Sequence, residues 1–497
     1  MRQEILRMER VTFKETDTPL LENFCITVME GEILGLIPVN SYGVDSFLHL
    51  AVHNLPLHYG YVYYREKIVN SWKNQGRDTN RISIIRNESC LVDKLTVADN
   101  IFVLRRGFKK CIINHGVLKK QLQLFLKDID INISADAYVE DLTPFEKLII
   151  ELLRAIVAGN WLVILEGIGT IVSYKELQKI HYILNHYAKK GFAFIYIESH
   201  YEEMKSVCDR IALMENGRIT KIFDMKDVIP DIIRINTTKK FEQIIKKNLI
   251  ENEKAYKTDE VVFAAESVDC KTIQNLNLTI KKGECVVIHD LDNAIYTDLI
   301  KGLNGDEKIT KGRFLVKGKQ LEYGKSRDIA IIQELPIKTL LFRELSYLDN
   351  LCITLDHRMK KVWSNKDFKS SLIKELTPIL GEEVFFTSVK NLTLEQQYDL
   401  IYTRILLQKP KIVFCVKPFK GAGVSLRMHI AELIHMLIEK GISVGILTVN
   451  LSDSLAVADR LICIAQGKVE EEYDRTKFDK LPVTVPWQYL YNEKGQE

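Results

Sequence analysis

The chain has 497 residues, of which 46% are hydrophobic and 27% charged, and its formal charge is +3. That length suggests two to four globular domains, and the near-neutral balance excludes a general attraction to polyanions such as nucleic acid. No apolar run reaches the ~20 residues of a membrane crossing, the charged opening MRQEILRMER lacks a signal-peptide core, and nine cysteines with no CxxC spacing fit reduced thiols better than a disulfide framework.

In chain order, ILRMERVTF near the start alternates like a half-buried strand. The stretch Gly31–Leu50 then reads GEILGLIPVNSYGVDSFLHL. Ile33–Ile37 suits a buried strand, Asn40–Gly43 a polar loop, and Phe47–Leu50 the start of a helix. Strand, loop and helix form the setting of a phosphate-cradling loop, in which backbone N–H groups wrap phosphates, a lysine reaches them and a Ser/Thr hydroxyl holds magnesium. Aligned without gaps to that pattern, Pro38 takes the first glycine position and Gly43 keeps the last. Val44 stands at the lysine, Asp45 at the Ser/Thr, and Ser46 follows. Further on, Leu91–Ile131 reads as a helical insert, and ENGRITKIF is a hairpin about Asn216-Gly217. Asp224–Glu260 reads as a linker with one short helix at Phe241–Leu249. The scattered lysine pairs (109–110, 119–120, 239–240, 246–247) read as solvated faces.

The second half repeats the first with a period of about 250 residues. GEILGLIPVNSYGVDSFL at Gly31 answers to GECVVIHDLDNAIYTDLI at Gly283. DLTPFEKLIIELLRAI at Asp141 answers to NLTLEQQYDLIYTRIL at Asn391. WLVILEGIGT at Trp161 answers to KIVFCVKPFKG at Lys411, and CDRIALMENGRI at Cys208 to ADRLICIAQGKV at Ala458. Four blocks in one order imply duplication, with a first domain at 1–223, a linker at 224–260 and a second domain at 261–497.

With these blocks in place, nearly the whole chain resembles the twin-cassette ATP-binding subunits of ABC importers for monosaccharides, of the ribose, galactose and arabinose type. IIRNESCLVDKLTVADNIFV (Ile84–Val103) is similar to that family's glutamine-loop segment, and IYIESHYEEMKSVCDRIALMENGRI (Ile195–Ile219) to its histidine-switch segment. The resemblance implies an α/β fold: two tandem ABC-type P-loop nucleotide-binding domains, each with a mixed sheet core and a helical subdomain. It also implies two composite ATP sites, each joining one cassette's phosphate loop to the other's signature loop. A separate membrane permease would dock on the helical subdomains, from the cytoplasm or the inner membrane face, without insertion of this chain.

Carried over residue by residue, the chemistry is missing. The lysine position is Val44 in the first half and Tyr296, followed by Thr297, in the second. Losing a charged donor to phosphate costs about 1.5–3 kcal/mol. Asp290, Asp292 and Asn293 stand in the second loop, where carboxylates would repel a polyphosphate. The acidic strand end, normally Asp-Glu, is Glu166-Gly167 and then Val416-Lys417. The signature loops read LTPFE (Leu142, Thr143, Glu146) and NLTLEQQ (Leu392, Thr393, Glu395), with no glycine. Asn87 stands at the glutamine, and His200 lies beside the switch position, which aligns with Ser199; an ordinary exposed histidine is the expectation for it. The degenerate first site is thus Asn40, Gly43, Val44, Asp45, Ser46, Asn87, Glu166 and His200. The second is Asp292, Asn293, Tyr296, Thr297 and Lys417. No catalytic residue and no resident metal are expected, and at most a weakly held Mg-ATP. The reading that follows is a non-hydrolysing scaffold or regulator of a permease or another partner. Two alternatives stand beside it: a weak ATPase for sugar uptake, with Arg86 or Lys417 replacing the lysine, and a sensor of a nucleotide or another small ligand.

Overall fold

The computed structural model describes residues 2–15, 18–76, 78–104, 114–226, 258–321, 326–353, 365–451 and 453–481. The short helix expected at Phe241–Leu249, three of the lysine pairs and the terminal NEKGQE fall outside them. The chain divides into two compact units, the first essentially Met1–Lys239 and the second essentially Lys240–Glu497.

Unit 1 runs β1 (Glu4–Glu15), β2 (Thr18–Met29), β3 (Ile33–Pro38), α1 (Val44–Val52), β4 (Tyr59–Tyr64), β5 (Lys67–Ser71), β6 (Ile82–Ile85), α2 (His115–Asp128), α3 (Pro144–Val157), β7 (Leu162–Glu166), α4 (Tyr174–Ala188), β8 (Ala193–Ile197), β9 (Arg210–Glu215) and β10 (Arg218–Asp224). Unit 2 repeats it with β11 (Val261–Cys270), β12 (Ile273–Lys281), β13 (Cys285–Asp290), α5 (Tyr296–Asn304), β14 (Lys311–Val316), β15 (Lys319–Gln320), β16 (Ile329–Ile332), α6 (Asn365–Leu380), α7 (Leu394–Gln408), β17 (Ile412–Val416), α8 (Val424–Glu439), β18 (Ser443–Thr448), β19 (Arg460–Ala465) and β20 (Lys468–Asp474). The large sheets are ordered β10-β9-β3-β8-β7-β6 and β20-β19-β13-β18-β17-β16, the same path twice. Only their terminal strands β10 and β20 pair antiparallel. Each unit adds an antiparallel sheet, β2-β1-β4-β5 or β12-β11-β14-β15.

The central strands read as continuous apolar runs because both faces are covered. In β7, Leu162 and Ile164 pack with Phe24 and Phe47 under the antiparallel sheet and α1. Val163 and Leu165 pack on the other face with Ile149 of α3 and Ile180 of α4. Unit 2 divides β17 in the same way, with Ile412 and Phe414 on one face and Val413 and Cys415 on the other. Each such fully buried side chain contributes about 1.5–3 kcal/mol.

The recurring GE and DR dipeptides have a physical reason. Arg210 Nε lies 2.6 Å from Glu32 Oε1, and Asp209 Oδ2 accepts the Ile33 N–H at 3.0 Å. Arg460 and Glu284 pair at 2.8 Å, and Asp459 accepts the Cys285 N–H at 2.9 Å. Each set ties the start of the loop-bearing strand to its neighbour β9 or β19. The hairpin between β9 and β10 turns at Asn216 (φ 49°) and Gly217 (φ 72°), the left-handed pair that Asn-Gly favours.

Two expectations are corrected. Helix α1 starts at Val44, ahead of Phe47, because Gly43 (φ 80°) already turns the chain into it. Leu91–Ile131 is helical only in part: among the described residues, turns lead to a π-helical turn at Asp99–Val103, and α2 follows. The LTVADN segment is shaped instead by Asn100, which is fully buried. Its Oδ1 accepts the Val92 N–H at 2.9 Å, and its Nδ2 donates to the carbonyls of Val92 and Thr96, both at 3.1 Å. Asn350 makes the same three bonds to Phe342 and Ser346. Asn100→Ala leaves backbone groups of Val92 and Thr96 without these bonds and is expected to cost about 1–3 kcal/mol in urea denaturation.

Candidate functional site

The loop after β3 is held by the fold at Pro38, Asn40, Gly43 and Val44. Pro38 ends β3 opposite Met214. Asn40 donates its amide to Asn216 Oδ1 at 2.8 Å and accepts the Asn216 N–H at 3.2 Å, so both ends of the amide serve the hairpin turn. At Gly43 a Cβ would stand 2.3 Å from the Leu20 carbonyl oxygen and 3.0 Å from the Gly217 Cα, which excludes any other residue. Val44, at the lysine position, is buried among Phe47, Leu48 and their core neighbours. Asp45 is exposed, and Ser46 and Asn87 are partly buried.

Asp45 and Glu166 are brought together by Arg86, which follows β6. Arg86 Nη2 lies 2.7 Å from Asp45 Oδ1, and Nε lies 3.0 Å from Glu166 Oε2. Burial pushes the Glu166 carboxyl above its ordinary range and Asp45 adds to this, while Arg86 opposes both. Gly167 takes φ 66° and contributes no side chain. Buried Glu198 accepts the Gly169 N–H at 2.9 Å. His200 is corrected: it is 5% exposed, not a solvated surface histidine, because the chain after β8 folds inward with Glu198 and Ser199.

The signature loops cap helices. Thr143 Oγ1 accepts the Glu146 N–H at 3.2 Å, and Glu146 Oε2 accepts the Thr143 N–H at 2.9 Å, a capping box on α3. In the second loop Thr393 and Gln396 do the same for α7, at 3.2 and 2.9 Å, while Glu395 is exposed. Gln396, not Glu395, is therefore the partner of Thr393, and the spacings T-x-x-E and T-x-x-Q announce both boxes. Each cap is worth about 1 kcal/mol. Leu142 and Leu392 pack against the helical cores behind them.

In unit 2 the loop after β13 is closed by its own carboxylate. Asp290, 2% exposed, accepts the Ile295 N–H at 2.7 Å and the Tyr296 N–H at 3.2 Å on Oδ2. Burial raises its carboxyl, against the backbone N–H groups of Ile295, Ala294, Tyr296 and Asp292. Asp290, expected from the sequence to repel a phosphate, turns inward onto its own loop instead. Asp292 accepts the Gln466 N–H at 2.7 Å, the counterpart of Asn40 with Asn216, and Asn293 holds φ 55°. The Tyr296 ring lies under Lys417, whose Nζ is 4.2 Å from the ring centroid. Thr297 is exposed and Val416 buried. Beyond them Lys420 is ion-paired with Glu334.

The groups present do not fit a magnesium–triphosphate. In unit 1 a guanidinium lies between the two residues aligned with metal ligands. In unit 2 a carboxylate fills the ring of N–H donors that would wrap a phosphate. Among the described residues no cluster of three or more His, Cys, Asp or Glu is placed to hold a metal, and no helix is long and apolar enough to cross a membrane.

No family model matches the chain. It is 23% identical over 494 residues to the Ribose import ATP-binding protein RbsA of Clostridium perfringens, covering 95% of this chain and 96% of that one. It is 24% identical to RbsA of Bacillus licheniformis, covering 92% and 94%. It is 22% identical to the Galactose/methyl galactoside import ATP-binding protein MglA of Haemophilus influenzae, covering 94% of each. Among solved structures, the RNase-L Inhibitor superposes with a TM-score of 0.58 at 13% identity, over 95% of this chain and 92% of that one. An archaeal ribosome recycling factor, aABCE1, solved with the stalk protein aP1, gives 0.56 at 13%, over 95% and 91%. These likenesses carry the fold, two tandem ABC cassettes with mixed sheets.

Proposed function

We propose that this tandem ABC-cassette protein, homologous along nearly its whole length to the ATP-binding subunits of ribose and galactose importers, is a non-hydrolysing scaffold or regulator of a membrane permease. It would work at the cytoplasmic face of the membrane. The observation that supports this reading is the fate of the functional positions. Val44 is core, Asn40 and Asp292 pin hairpins, Thr143 and Thr393 cap helices, and Asp290 closes its own loop. Hydrolysis needs a cationic clamp on the phosphates and a group that orients water. Gly167 cannot orient water, and Lys417 carries the wrong charge for that task.

The weak-ATPase alternative asks Arg86 or Lys417 to grip phosphate. Arg86 is ion-paired with two carboxylates and Lys417 is spread over the Tyr296 ring, which disfavours both. The permease part of the proposal draws support from apolar side chains at matching places in the two helical subdomains. Val92 and Phe342 are 45% and 56% exposed, each on a turn held by its buried asparagine. Affinity purification from solubilised membranes is expected to recover a polytopic membrane protein with the wild type, and to lose it with a Val92→Glu, Phe342→Glu variant. Failure of the wild type to retain any such protein contradicts the proposal.

A further inference from the structure

The two loop regions have diverged in opposite ways, and each ends with a charge of its own at the place where a ligand would sit. In unit 1 both residues aligned with metal ligands are acidic, Asp45 in place of a hydroxyl and Glu166 in place of an aspartate. Asp45 and Glu166 both reach Arg86 and would repel each other without a cation between them. Arg86 supplies that cation, at 2.7 and 3.0 Å from the two carboxylates. In unit 2 the metal-ligand positions are Thr297 and Val416, and the surviving feature is the ring of backbone N–H groups at the start of α5. Such a helix start favours an anion. Asp290 supplies it from the end of β13, buried and bonded at 2.7 and 3.2 Å.

We propose that each unit carries in its own chain the charge a bound ligand would bring: Arg86 takes the place of a divalent cation in unit 1, and Asp290 the place of a phosphate in unit 2. The inference rests on reading the chain as a cassette pair without hydrolysis, and deepens it. It explains why both loops are ordered by internal partners: the fold no longer needs a nucleotide to complete them. Unit 1 keeps a latent cation site and unit 2 a latent anion site, each closed by one side chain.

The test uses the full chain, without nucleotide, and reads melting temperature. The wild type is expected to be indifferent to millimolar MnCl2 and to millimolar inorganic pyrophosphate. Arg86→Gln removes the internal cation, and manganese is then expected to raise its melting temperature saturably, by about 2–4 °C. Arg86→Lys keeps a cation and stays indifferent. Asp290→Gly opens the N–H ring and gains a similar response to pyrophosphate. Asp290→Asn keeps an acceptor in place and responds less. A variant that is unfolded alone and folds with its ion supports the proposal. Variants that their ions leave unchanged overturn it, as does a wild type that responds as strongly as they do. Phosphate release from ATP by the wild type would overturn the function proposed above, whereas these ion responses would still be read independently.

Discussion

Asp453→Ala is expected to cost unit 2 about 3–5 kcal/mol, the size seen when one partner of a buried ion pair is removed. Arg427 on α8 places Nη1 2.8 Å from Asp453 Oδ2, with the two side chains 5% and 1% exposed. Its Nε donates to the Ala422 carbonyl at 2.6 Å, so the guanidinium is fixed on two sides. Without Asp453 the buried guanidinium loses this ion pair. The loss belongs to the orphaned charge rather than to the pair, so adding Arg427→Met should restore most of it. Urea denaturation followed by far-UV circular dichroism reads both variants. A cost below about 1 kcal/mol for Asp453→Ala would mean that the pair is open to water.

The second large effect is acid sensitivity. Burial lowers His181 in unit 1 and His289 in unit 2 to about 4. His181 meets the Tyr196 hydroxyl at 3.4 Å and the Ser206 hydroxyl at 3.3 Å, and His289 Nε2 meets the Val449 carbonyl at 3.1 Å. Both are neutral when folded. An unfolded histidine takes up its proton near 6.5, so the unfolded chain gains protons first as the pH falls. Stability is therefore full above about 6.5 and declines down to about 4, by about 3 kcal/mol per histidine. Glu151, Glu166 and Asp290, all raised by burial, bind protons more readily when folded and oppose the decline at its acid end. Comparison with His181→Gln isolates the histidine: its melting curve against pH should be flatter between 6.5 and 4. An equal slope in wild type and variant would show that His181 is solvated.

The strands and the repeat were legible because their signal is local. Runs such as WLVILE and KIVFCV leave no doubt about burial on two faces, and Asn216-Gly217 dictates its own turn. The residue types at the aligned positions were legible too, since Val44, Gly167 and Lys417 stand there wherever their side chains point. What the sequence hid was the use to which the replacements are put. Asp290 reads as a charge repelling phosphate until the fold shows its carboxylate on the N–H groups of Ile295 and Tyr296. Arg86 reads as a spare cation until Asp45 and Glu166, far apart in sequence, converge on it. His200 reads as a surface residue because nothing in ESHYEEM reports that the chain turns inward. Thr143 and Thr393 open T-x-x-E and T-x-x-Q, the pattern of a capping box, inside the segments aligned with the signature loops.

Steady-state phosphate release by the purified full-length chain, at millimolar Mg-ATP, tests the central claim most directly. The account predicts a rate indistinguishable from that of buffer, in wild type and in Glu166→Gln alike. Turnover by the wild type that Glu166→Gln abolishes would contradict it.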